Sequence, residues 1–280
     1  MDILDKITQA RPTFSKGQKR IADFITSHTD KAAFMTAAKM GATVGVSEST
    51  VVRFAYELGF GGYPELSRAL QQVIKTQLTS VQRIAVTQDR IGGGDVLDKV
   101  LSFDIDKIRH TLEEISKEDF DRAVDAIAEA RTIYVIGDRS AGSLAKFIDY
   151  YFGLMFSNVR LVHTSSSSEL YEQMVRINRD DVLIGISFPR YSTLTVKACR
   201  FAADAGAKVI AITDGAGSPL AKAAEILLAA RSDMTSFVDS LVAPFSVVNA
   251  LIVAVGLRKE EEVTQTFNRL EEIWSEYNVY

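Results

Sequence analysis

The stretch that decides the fold is residues 132–142, which read TIYVIGDRSAG. Its first half is a continuous apolar run rich in β-branched residues, and its second half is a loop of glycine and small polar residues. A strand without polar alternation is buried on both faces, which is typical of a parallel sheet covered by helices. We therefore expect residues 132–137 to form the first strand of an α/β sheet.

Runs of the same kind recur up to about residue 230, and each is followed by small or polar residues. The predicted strands are Thr132–Gly137, Val159–His163, Asp181–Ser187, Ala207–Thr213 and Ile226–Ala230, and helices are expected near 142–156, 167–177, 193–205 and 217–224. This alternation predicts an α/β fold with a doubly wound, flavodoxin-like parallel sheet that has helices on both faces. Ligands of such sheets bind beyond the carboxyl ends of the strands, where the strand order reverses.

Length and composition indicate a folded protein with room for two domains. Of the 280 residues, 47% are hydrophobic and 24% are charged, which excludes a disordered or collagen-like chain. The single cysteine, Cys199, excludes a disulfide scaffold and a cysteine-based zinc finger. The first residues lack the pattern of a signal peptide, so we predict a cytoplasmic location. The most apolar window, Leu241–Leu257, contains Pro244 and is short for a membrane span, so we predict a buried helix there and no membrane partner.

The character of the chain changes near Gly92–Gly94, where a helical pattern gives way to strand-helix alternation. We expect a helical domain in residues 1–78, a linker and connecting helix in 79–115, and the α/β domain in 116–280. Residues 1–80 contain 10 Lys and Arg against 7 Asp and Glu, a net charge of +3, whereas the rest of the chain carries −7. A polyanion is therefore expected to bind the N-terminal domain.

Residues 42–53, ATVGVSESTVVR, predict two helices joined by a tight turn. Gly45 can adopt a positive φ, and Ser47 is placed to cap the second helix. The apolar side chains of that helix recur at helical spacing and are expected to face the core; they are Val51, Phe54, Ala55 and Leu58. This arrangement is typical of a helix-turn-helix, whose second helix enters the major groove of DNA.

Small hydroxyl residues and one arginine occupy the outer face of the second helix. Arg53 can bind guanine through O6 and N7, and the hydroxyl groups can reach bases or phosphates. The candidate DNA-binding residues are Ser47, Ser49, Thr50 and Arg53 on this helix, together with Lys16, Lys19 and Arg20, which are expected to bind the DNA backbone. Double-stranded operator DNA is therefore the predicted partner. Two alternatives stay open, a helical bundle that serves dimerisation and a module that binds protein.

Two consecutive segments resemble the N-terminal domain of the RpiR/MurR family of bacterial transcriptional regulators. They are Val46–Phe54, VSESTVVRF, and Leu58–Leu66, LGFGGYPEL. In that family a sugar isomerase (SIS) domain follows, and the α/β pattern after residue 116 is similar to it. The resemblance implies a DNA-binding regulator of carbohydrate catabolism, more often a repressor than an activator, that responds to a phosphorylated sugar or related metabolite bound in the SIS domain.

The loop after the first predicted strand, residues 137–142, leads into a helix N-terminus. Backbone N–H groups and the helix dipole attract anions at such a place. Arg139 can pair with a phosphate, and Ser140 can donate its hydroxyl. A tight turn with Arg139 in a surface ion pair is the alternative. Many relatives have serine where this chain has Ala141.

The loop after the third predicted strand, residues 187–193, reads SFPRYST. SIS domains usually carry Ser-x-Ser-Gly-x-Thr here to bind the sugar phosphate, and the resemblance places that pattern on Ser187 and Ser192. Pro189-Arg190 replaces Ser-Gly, so a hydroxyl is lost and a cation is gained. The candidate ligand-binding residues are therefore Arg139, Ser140, Ser187, Arg190, Ser192 and Thr193. Helix capping by Ser192 alone is the alternative.

No grouping of residues in the sequence predicts catalysis. His163 ends a strand, where a structural role is the commoner outcome, and Glu169 and Glu172 lie on the next helix without a second acid–base group paired to either. Ser166 and Glu169 have capping-box spacing, which gives that loop a structural role. The sequence lacks metal-ligand spacing and a P-loop, so we predict neither metal nor cofactor. A phosphosugar isomerase with an appended helix-turn-helix domain is the alternative function.

The final predicted helix, Glu260–Tyr277, keeps an apolar stripe along one side. Its members are Val263, Phe267, Leu270, Ile273 and Trp274. Packing against the core and dimerisation through this stripe are both open interpretations. A homodimer or homotetramer is expected, because a two-fold protein reads the two half-sites of a palindrome.

Overall fold

The computed structural model describes residues 3–77, 94–232 and 238–279, together with 83–84, 87–88 and 91. The chain divides into two compact units, Met1–Arg90 and Ile91–Tyr280. In its described part, the first unit is helical, whereas the second combines helices with a five-stranded sheet.

The first unit is a bundle of short helices over its described residues. They are α1 (Ile3–Ala10), α2 (Lys16–Ser27), α3 (Thr29–Ala32), α4 (Ala37–Val44), α5 (Glu48–Glu57) and α6 (Tyr63–Gln77), with a 3-10 turn at Arg11–Thr13. α2 begins at a capping box, in which the side chains of Ser15 and Gln18 each accept from the other's backbone N–H. α2 packs on α4 and α5, and α5 packs on α6. Ile7, Ile21 and Phe54 are fully buried in this bundle.

The second unit begins with two helices and continues as an alternation of strands and helices. The elements are α7 (Val96–Glu114), α8 (Lys117–Glu129), β1 (Ile133–Gly137), α9 (Ala141–Met155), β2 (Val159–Val162), α10 (Ser167–Met174), β3 (Val182–Ile186), α11 (Thr193–Asp204), β4 (Lys208–Thr213), β5 (Ile226–Ala229), α12 (Val242–Arg258) and α13 (Glu260–Glu276). Helices follow β1, β2 and β3, as the sequence predicts.

The five strands are parallel and lie in the order β2-β1-β3-β4-β5. Ile133 of β1 lies opposite Val159 of β2 on one side and Val182 of β3 on the other. The strand order therefore reverses between β1 and β3, and the crevice for a ligand is expected beyond the carboxyl ends of these two strands. β1 and β3 are buried over their whole length. The predicted doubly wound, flavodoxin-like sheet is confirmed.

Helices cover both faces of this sheet. On one face the core is formed with α8, α9 and α12, and on the other face with α10 and α11. α12 has seven buried residues, so the prediction of a buried helix at Leu241–Leu257 is confirmed. Among the described helices, no single one is long and apolar enough to cross a membrane. α12 and α13 reach that length and apolarity only when joined, and they are bent by 98° where they meet.

Two local predictions are wrong. Instead of a helix near 217–224 the chain forms only a 3-10 turn at Ala221–Ala223. Gly215, with a φ of 152°, turns the chain after β4, and Ser218 then accepts from the N–H of Ala221, so a short loop reaches β5.

The capping box expected at Ser166 is the other wrong prediction. The Ser166 side chain makes no capping hydrogen bond. Glu169 instead accepts from the Thr164 hydroxyl at 2.5 Å, and the same hydroxyl accepts from the N–H of Ser166 at 2.9 Å. Thr164 therefore performs the local bonding that the spacing assigns to Ser166.

The apolar stripe of α13 is half-buried. Val263 and Phe267 pack against the core cluster, and Leu270, Ile273 and Trp274 are neither fully buried nor fully exposed. The structure thus shows core packing for the first part of the stripe and leaves its second part accessible.

Candidate functional site

The turn between α4 and α5 depends on two glycines. α4 ends at Gly45, which has a φ of 69°, in the left-handed region that favours glycine. The N–H of Val46 then donates to the carbonyl of Gly41 at 2.9 Å. A Cβ at position 41 would lie 2.7 Å from the carbonyl oxygen of Val46. The sequence predicts Gly45 but misses Gly41, although a lone glycine inside a helical pattern is a signal of close packing.

Three predicted DNA-binding residues form one hydroxyl cluster at the start of α5. Ser47 caps the helix by accepting from the N–H of Thr50 at 3.3 Å. The Ser47 hydroxyl also lies 2.9 Å from that of Ser49 and 2.8 Å from that of Thr50. Ser47 and Ser49 are exposed, whereas Thr50 is half-buried. The predicted cap is therefore confirmed, and the cluster lies at the helix end that such motifs present to base edges.

Arg53 lies about one turn further along α5. Its side chain is exposed and forms no described hydrogen bond or ion pair. The inward positions are buried as predicted; they are Val51, Phe54, Ala55 and Leu58. α5 therefore has an apolar face in the bundle and a polar face in solvent.

The three predicted cations of α2 have different surroundings. Lys16 is exposed in the first turn of α2, and Lys19 is half-buried. The Arg20 guanidinium donates to the carbonyl oxygen of Gly45. Arg20 therefore supports the turn itself, a role that sequence spacing does not reveal.

The second candidate site lies beyond the carboxyl ends of β1 and β3. Ser187 is buried, and its hydroxyl accepts from the N–H of Ser192 at 3.0 Å. The Ser192 hydroxyl accepts from the N–H of Thr195 at 3.4 Å, which caps α11 as the alternative interpretation expects. Ser192 also donates to Asp138 Oδ2 at 2.9 Å. Asp138 follows β1, so this bond joins the two predicted loops.

Asp138 is a site residue that the sequence analysis misses. Its second carboxylate oxygen, Oδ1, accepts from the N–H of Arg139 at 2.8 Å. Arg139 has a φ of 54°, which is rare for a residue other than glycine. Asp138 is recognisable only as an acidic residue at the end of a strand, because its partner Ser192 is 54 residues away.

The other predicted ligand-binding residues are exposed. They are Arg139, Ser140, Arg190 and Thr193. Ser140 does not cap α9 with its side chain; its carbonyl oxygen accepts from the Ser143 hydroxyl at 2.7 Å. The structure thus brings Ser187 and Ser192 together in a buried cluster, and it leaves both arginines of the two loops accessible.

A tyrosine lies next to this cluster in the chain. Tyr191 donates its hydroxyl to Asp214 at 2.8 Å, which ties the loop after β3 to the end of β4. Burial and the neighbouring Asp214 carboxylate raise the pKa of Tyr191, so it remains a protonated donor. The Thr195 hydroxyl is fully buried and has no hydrogen-bond partner among the described residues.

The groups weighed for acid–base chemistry are spread over the loop and helix after β2. Glu169 bonds Thr164, and Glu172 accepts from Ser168 at 3.0 Å. His163 is exposed. Within the described ranges, no three His, Cys, Asp or Glu side chains are grouped as a metal site. Burial raises the pKa of the Cys199 thiol to about 12, so this thiol is not a nucleophile at neutral pH.

Comparisons with known proteins agree with both halves of the chain. The model of the helix-turn-helix domain, rpiR family, matches residues 1–77, and the SIS domain model matches residues 126–254. The HTH-type transcriptional regulator HexR of Escherichia coli is 26% identical over 289 residues, which cover 99% of this chain and 95% of HexR. HexR of Pseudomonas aeruginosa is 25% identical over 277 residues, which cover 97% and 95% of the two chains.

Solved structures show the same architecture. The sugar isomerase domain of the RpiR transcription factor from Sphaerobacter thermophilus matches with a TM-score of 0.61 and 26% identity, over 64% of this chain and 99% of that domain. The Vibrio vulnificus NanR protein, complexed with ManNAc-6P, has the same fold over 99% of both chains, with a TM-score of 0.60 and 19% identity. With both domains matched and regulators as full-length relatives, the chain belongs to the RpiR family of transcriptional regulators, with a SIS domain after its helix-turn-helix DNA-binding domain.

Proposed function

We propose that this regulator binds operator DNA through α5 and responds to a phosphorylated sugar or related metabolite in the crevice beyond β1 and β3. The observation that carries the DNA-binding part is the outer face of α5, where Arg53 is exposed one turn after the cluster of Ser47, Ser49 and Thr50. Small donors and a cation at the start of a helix suit phosphates and base edges.

The cations of the first unit take separate parts in this proposal. Arg53 reads a base edge in the major groove, and Lys16 and Lys19 contact the DNA backbone. Arg20 holds Gly45 and so fixes where α5 begins, which sets the position of Arg53. Loss of Arg20 is expected to weaken DNA binding through the turn as well as through charge.

The effector part rests on the two loops of the SIS domain. Ser187 and Ser192 form a buried polar cluster, and Arg139 and Arg190 are exposed on the same loops. Hydroxyl and guanidinium donors form charge-assisted hydrogen bonds with a phosphate. The similar fold of NanR, solved with ManNAc-6P, supports a phosphorylated sugar as the class of ligand.

We propose binding of the effector without turnover. Aldose–ketose isomerisation needs a base placed beside the substrate carbonyl, whereas Glu169 and Glu172 are each already hydrogen-bonded to a neighbouring hydroxyl. A regulator of this kind works where the chromosome is, so the proposed location is the cytoplasm. Repression of a carbohydrate catabolic pathway is the proposed sign of control.

The proposed assembly is a homodimer or a dimer of dimers. Along one side of α7 runs an apolar stripe, hereafter the α7 stripe, formed by Leu97, Leu101, Ile105, Ile108 and Leu112, all of them exposed. Two copies joined through such a stripe carry two helix-turn-helix domains and can bind two half-sites. The effector is proposed to change the spacing of these domains. A coupling free energy of about 1–3 kcal/mol between effector binding and DNA binding changes operator affinity about 5–150-fold.

The test of the DNA-binding part compares Arg53→Ala with Arg68→Ala. Both substitutions remove one arginine from an exposed position, but Arg68 lies on α6. The operator is selected from random duplexes, and affinity is measured by fluorescence anisotropy against operator and unrelated DNA. Arg53→Ala is expected to lose about 1–3 kcal/mol of discrimination between the two, whereas Arg68→Ala keeps it.

Salt dependence separates DNA binding from the alternative of a protein-binding module. Each phosphate contact gives a slope of about −0.9 in log K against log salt. A flat salt profile contradicts DNA binding. Full discrimination by Arg53→Ala contradicts the proposed face of α5.

The test of the effector part is a thermal-shift screen with phosphorylated metabolites. A ligand at 100 times its Kd stabilises the fold by about 2.7 kcal/mol. The stabilisation by a metabolite found in this screen is expected to disappear in the double variant Ser187→Ala and Arg190→Ala. This variant is expected to bind operator DNA normally but no longer to respond to the effector. Conversion of the hit to an isomer by the wild-type protein would instead support the isomerase alternative.

A further inference from the structure

The hydroxyl of Ser192 has no proton left for a ligand. A serine hydroxyl has one proton and two lone pairs. The Ser192 proton is donated to Asp138 Oδ2 at 2.9 Å, and a lone pair accepts from the N–H of Thr195 at 3.4 Å. The group expected to bind a phosphate is therefore already bound to a carboxylate.

The carboxylate of Asp138 is held at both of its oxygens. Oδ2 accepts from Ser192, in the loop after β3, and Oδ1 accepts from the N–H of Arg139, in the loop after β1. A backbone N–H and a hydroxyl from two loops are the kind of donors that bind anions. The Asp138 carboxylate thus occupies the position, and accepts from the donors, that a bound anionic ligand would use.

We propose that Asp138 is an internal competitor of the effector. Without ligand its carboxylate occupies the Ser192 hydroxyl, and a phosphorylated effector must displace it before that hydroxyl can bind the phosphate. Two anions cannot share one donor proton, and like charges at close range disfavour each other. Asp138 therefore sets the effector concentration at which the regulator responds. This inference rests on the proposed ligand crevice.

The experiment measures binding of inorganic phosphate to the full chain by calorimetry and thermal shift at constant ionic strength. Asp138→Asn keeps the shape of the side chain and an oxygen that can accept from Arg139, but it removes the charge. It is expected to lower the Kd for phosphate about tenfold, and the gain is expected to vanish in Asp138→Asn with Ser192→Ala. Asp204→Asn is the matched control, because Asp204 is exposed at the far end of α11 and loses the same charge.

The outcomes separate this inference from the proposed function. If Ser192→Ala abolishes phosphate binding while Asp138→Asn leaves it unchanged or weaker, the crevice is correct and the competitor role of Asp138 is wrong. If Ser192→Ala binds phosphate as well as the wild type, the Ser192 hydroxyl is not a phosphate ligand and the competitor role of Asp138 is wrong, whereas the proposed function is decided by the Ser187→Ala and Arg190→Ala variant. Lack of binding in wild type and Asp138→Asn alike also overturns the inference. Asp138→Ser, which keeps a small acceptor, replaces Asp138→Asn if the latter does not fold.

Discussion

Tyr63 has a hydroxyl group that is buried and has no hydrogen-bond partner in the described part of the chain. Burial raises its pKa to about 12, because the phenolate is poorly solvated there. An unfolded tyrosine loses its proton near pH 10. Between about pH 10 and 12 the unfolded state therefore binds fewer protons than the folded state, and stability falls as the pH rises. The stabilisation that the raised pKa of Tyr63 gives the folded state is fully present below about pH 10.

Tyr63→Phe is expected to remove that alkaline loss and to raise stability at neutral pH by about 1 kcal/mol, since an unpaired buried hydroxyl is removed. Urea unfolding at pH 8 and pH 11 measures both effects. Tyr56→Phe is the control, because Tyr56 is 57% exposed and its hydroxyl reaches water. An equal loss of stability in wild type and Tyr63→Phe between these pH values contradicts the role given to Tyr63.

At the scale of single residues, local bonds are predictable from the sequence and distant ones are not. Ser47 is predictable as a cap because its partner Thr50 is three positions away. Arg20 binds Gly45 across 25 positions, and Asp138 binds Ser192 across 54 positions. No rule of sequence spacing predicts either pair, so only the folded chain reveals that Arg20 supports the turn and that Asp138 binds the loop after β3.

At the scale of elements, Gly41 and Gly17 make a matched pair of helical glycines. Alanine is favoured over glycine in a helix by about 1 kcal/mol. At position 17 a Cβ would lie 3.4 Å from a Val46 side-chain atom, an ordinary contact, whereas at position 41 it would lie 2.7 Å from the Val46 carbonyl oxygen. Gly41→Ala is therefore expected to destabilise the first unit by about 1–3 kcal/mol, because the turn must move.

Gly17→Ala is expected to keep or raise stability by up to about 1 kcal/mol, and it is the control for Gly41→Ala. Chemical denaturation measures the two values, and anisotropy with operator DNA measures the position of α5. Operator affinity should fall in Gly41→Ala at temperatures where the protein is still folded. If both alanine variants are equally stable and bind equally well, the close approach of the turn to α4 does not constrain the motif.

Elements with a strong periodic signal are predictable, and short irregular connections are not. β1, β3 and β5 are continuous apolar runs, and β2 and β4 are mostly apolar, with Arg160 and Lys208 as their charged members, so the strand positions follow from the hydrophobic pattern. The alternation of strands and helices predicts a helix between β4 and β5, yet this segment contains Gly215 and Pro219 and forms only a 3-10 turn. The local backbone preferences of glycine and proline override the alternation there.

At the scale of the whole molecule, charge separates the two functions. Residues 1–80 carry a net charge of +3 and the rest of the chain −7. The positive net charge of the first part favours contact with DNA, and the negative net charge of the rest opposes it. The proposed DNA-binding face of α5 therefore lies in the part of the chain whose net charge suits a polyanion.

The α7 stripe makes the proposed assembly testable. Its residues follow one another at intervals of 4, 4, 3 and 4 positions, which places them along one side of the helix. A different side of α7 is buried against the rest of the domain, at Lys107 and Thr111. An apolar helix stripe beside a buried face, exposed to solvent from end to end, is typical of an interface.

Ile105→Glu with Leu112→Glu is therefore expected to convert the oligomer into monomers. Burial of each apolar side chain of this size at the interface stabilises the oligomer by about 1.5–3 kcal/mol, and a glutamate buried there opposes association. Sedimentation equilibrium measures the mass, and operator affinity should fall because one molecule then binds one half-site. Ser102→Glu with His110→Glu adds acidic groups to other exposed positions of α7 and should leave the mass unchanged. An unchanged mass in the Ile105→Glu and Leu112→Glu variant would assign the interface to another surface. The half-buried end of α13 is then the next segment to substitute, because its apolar side chains are also partly accessible.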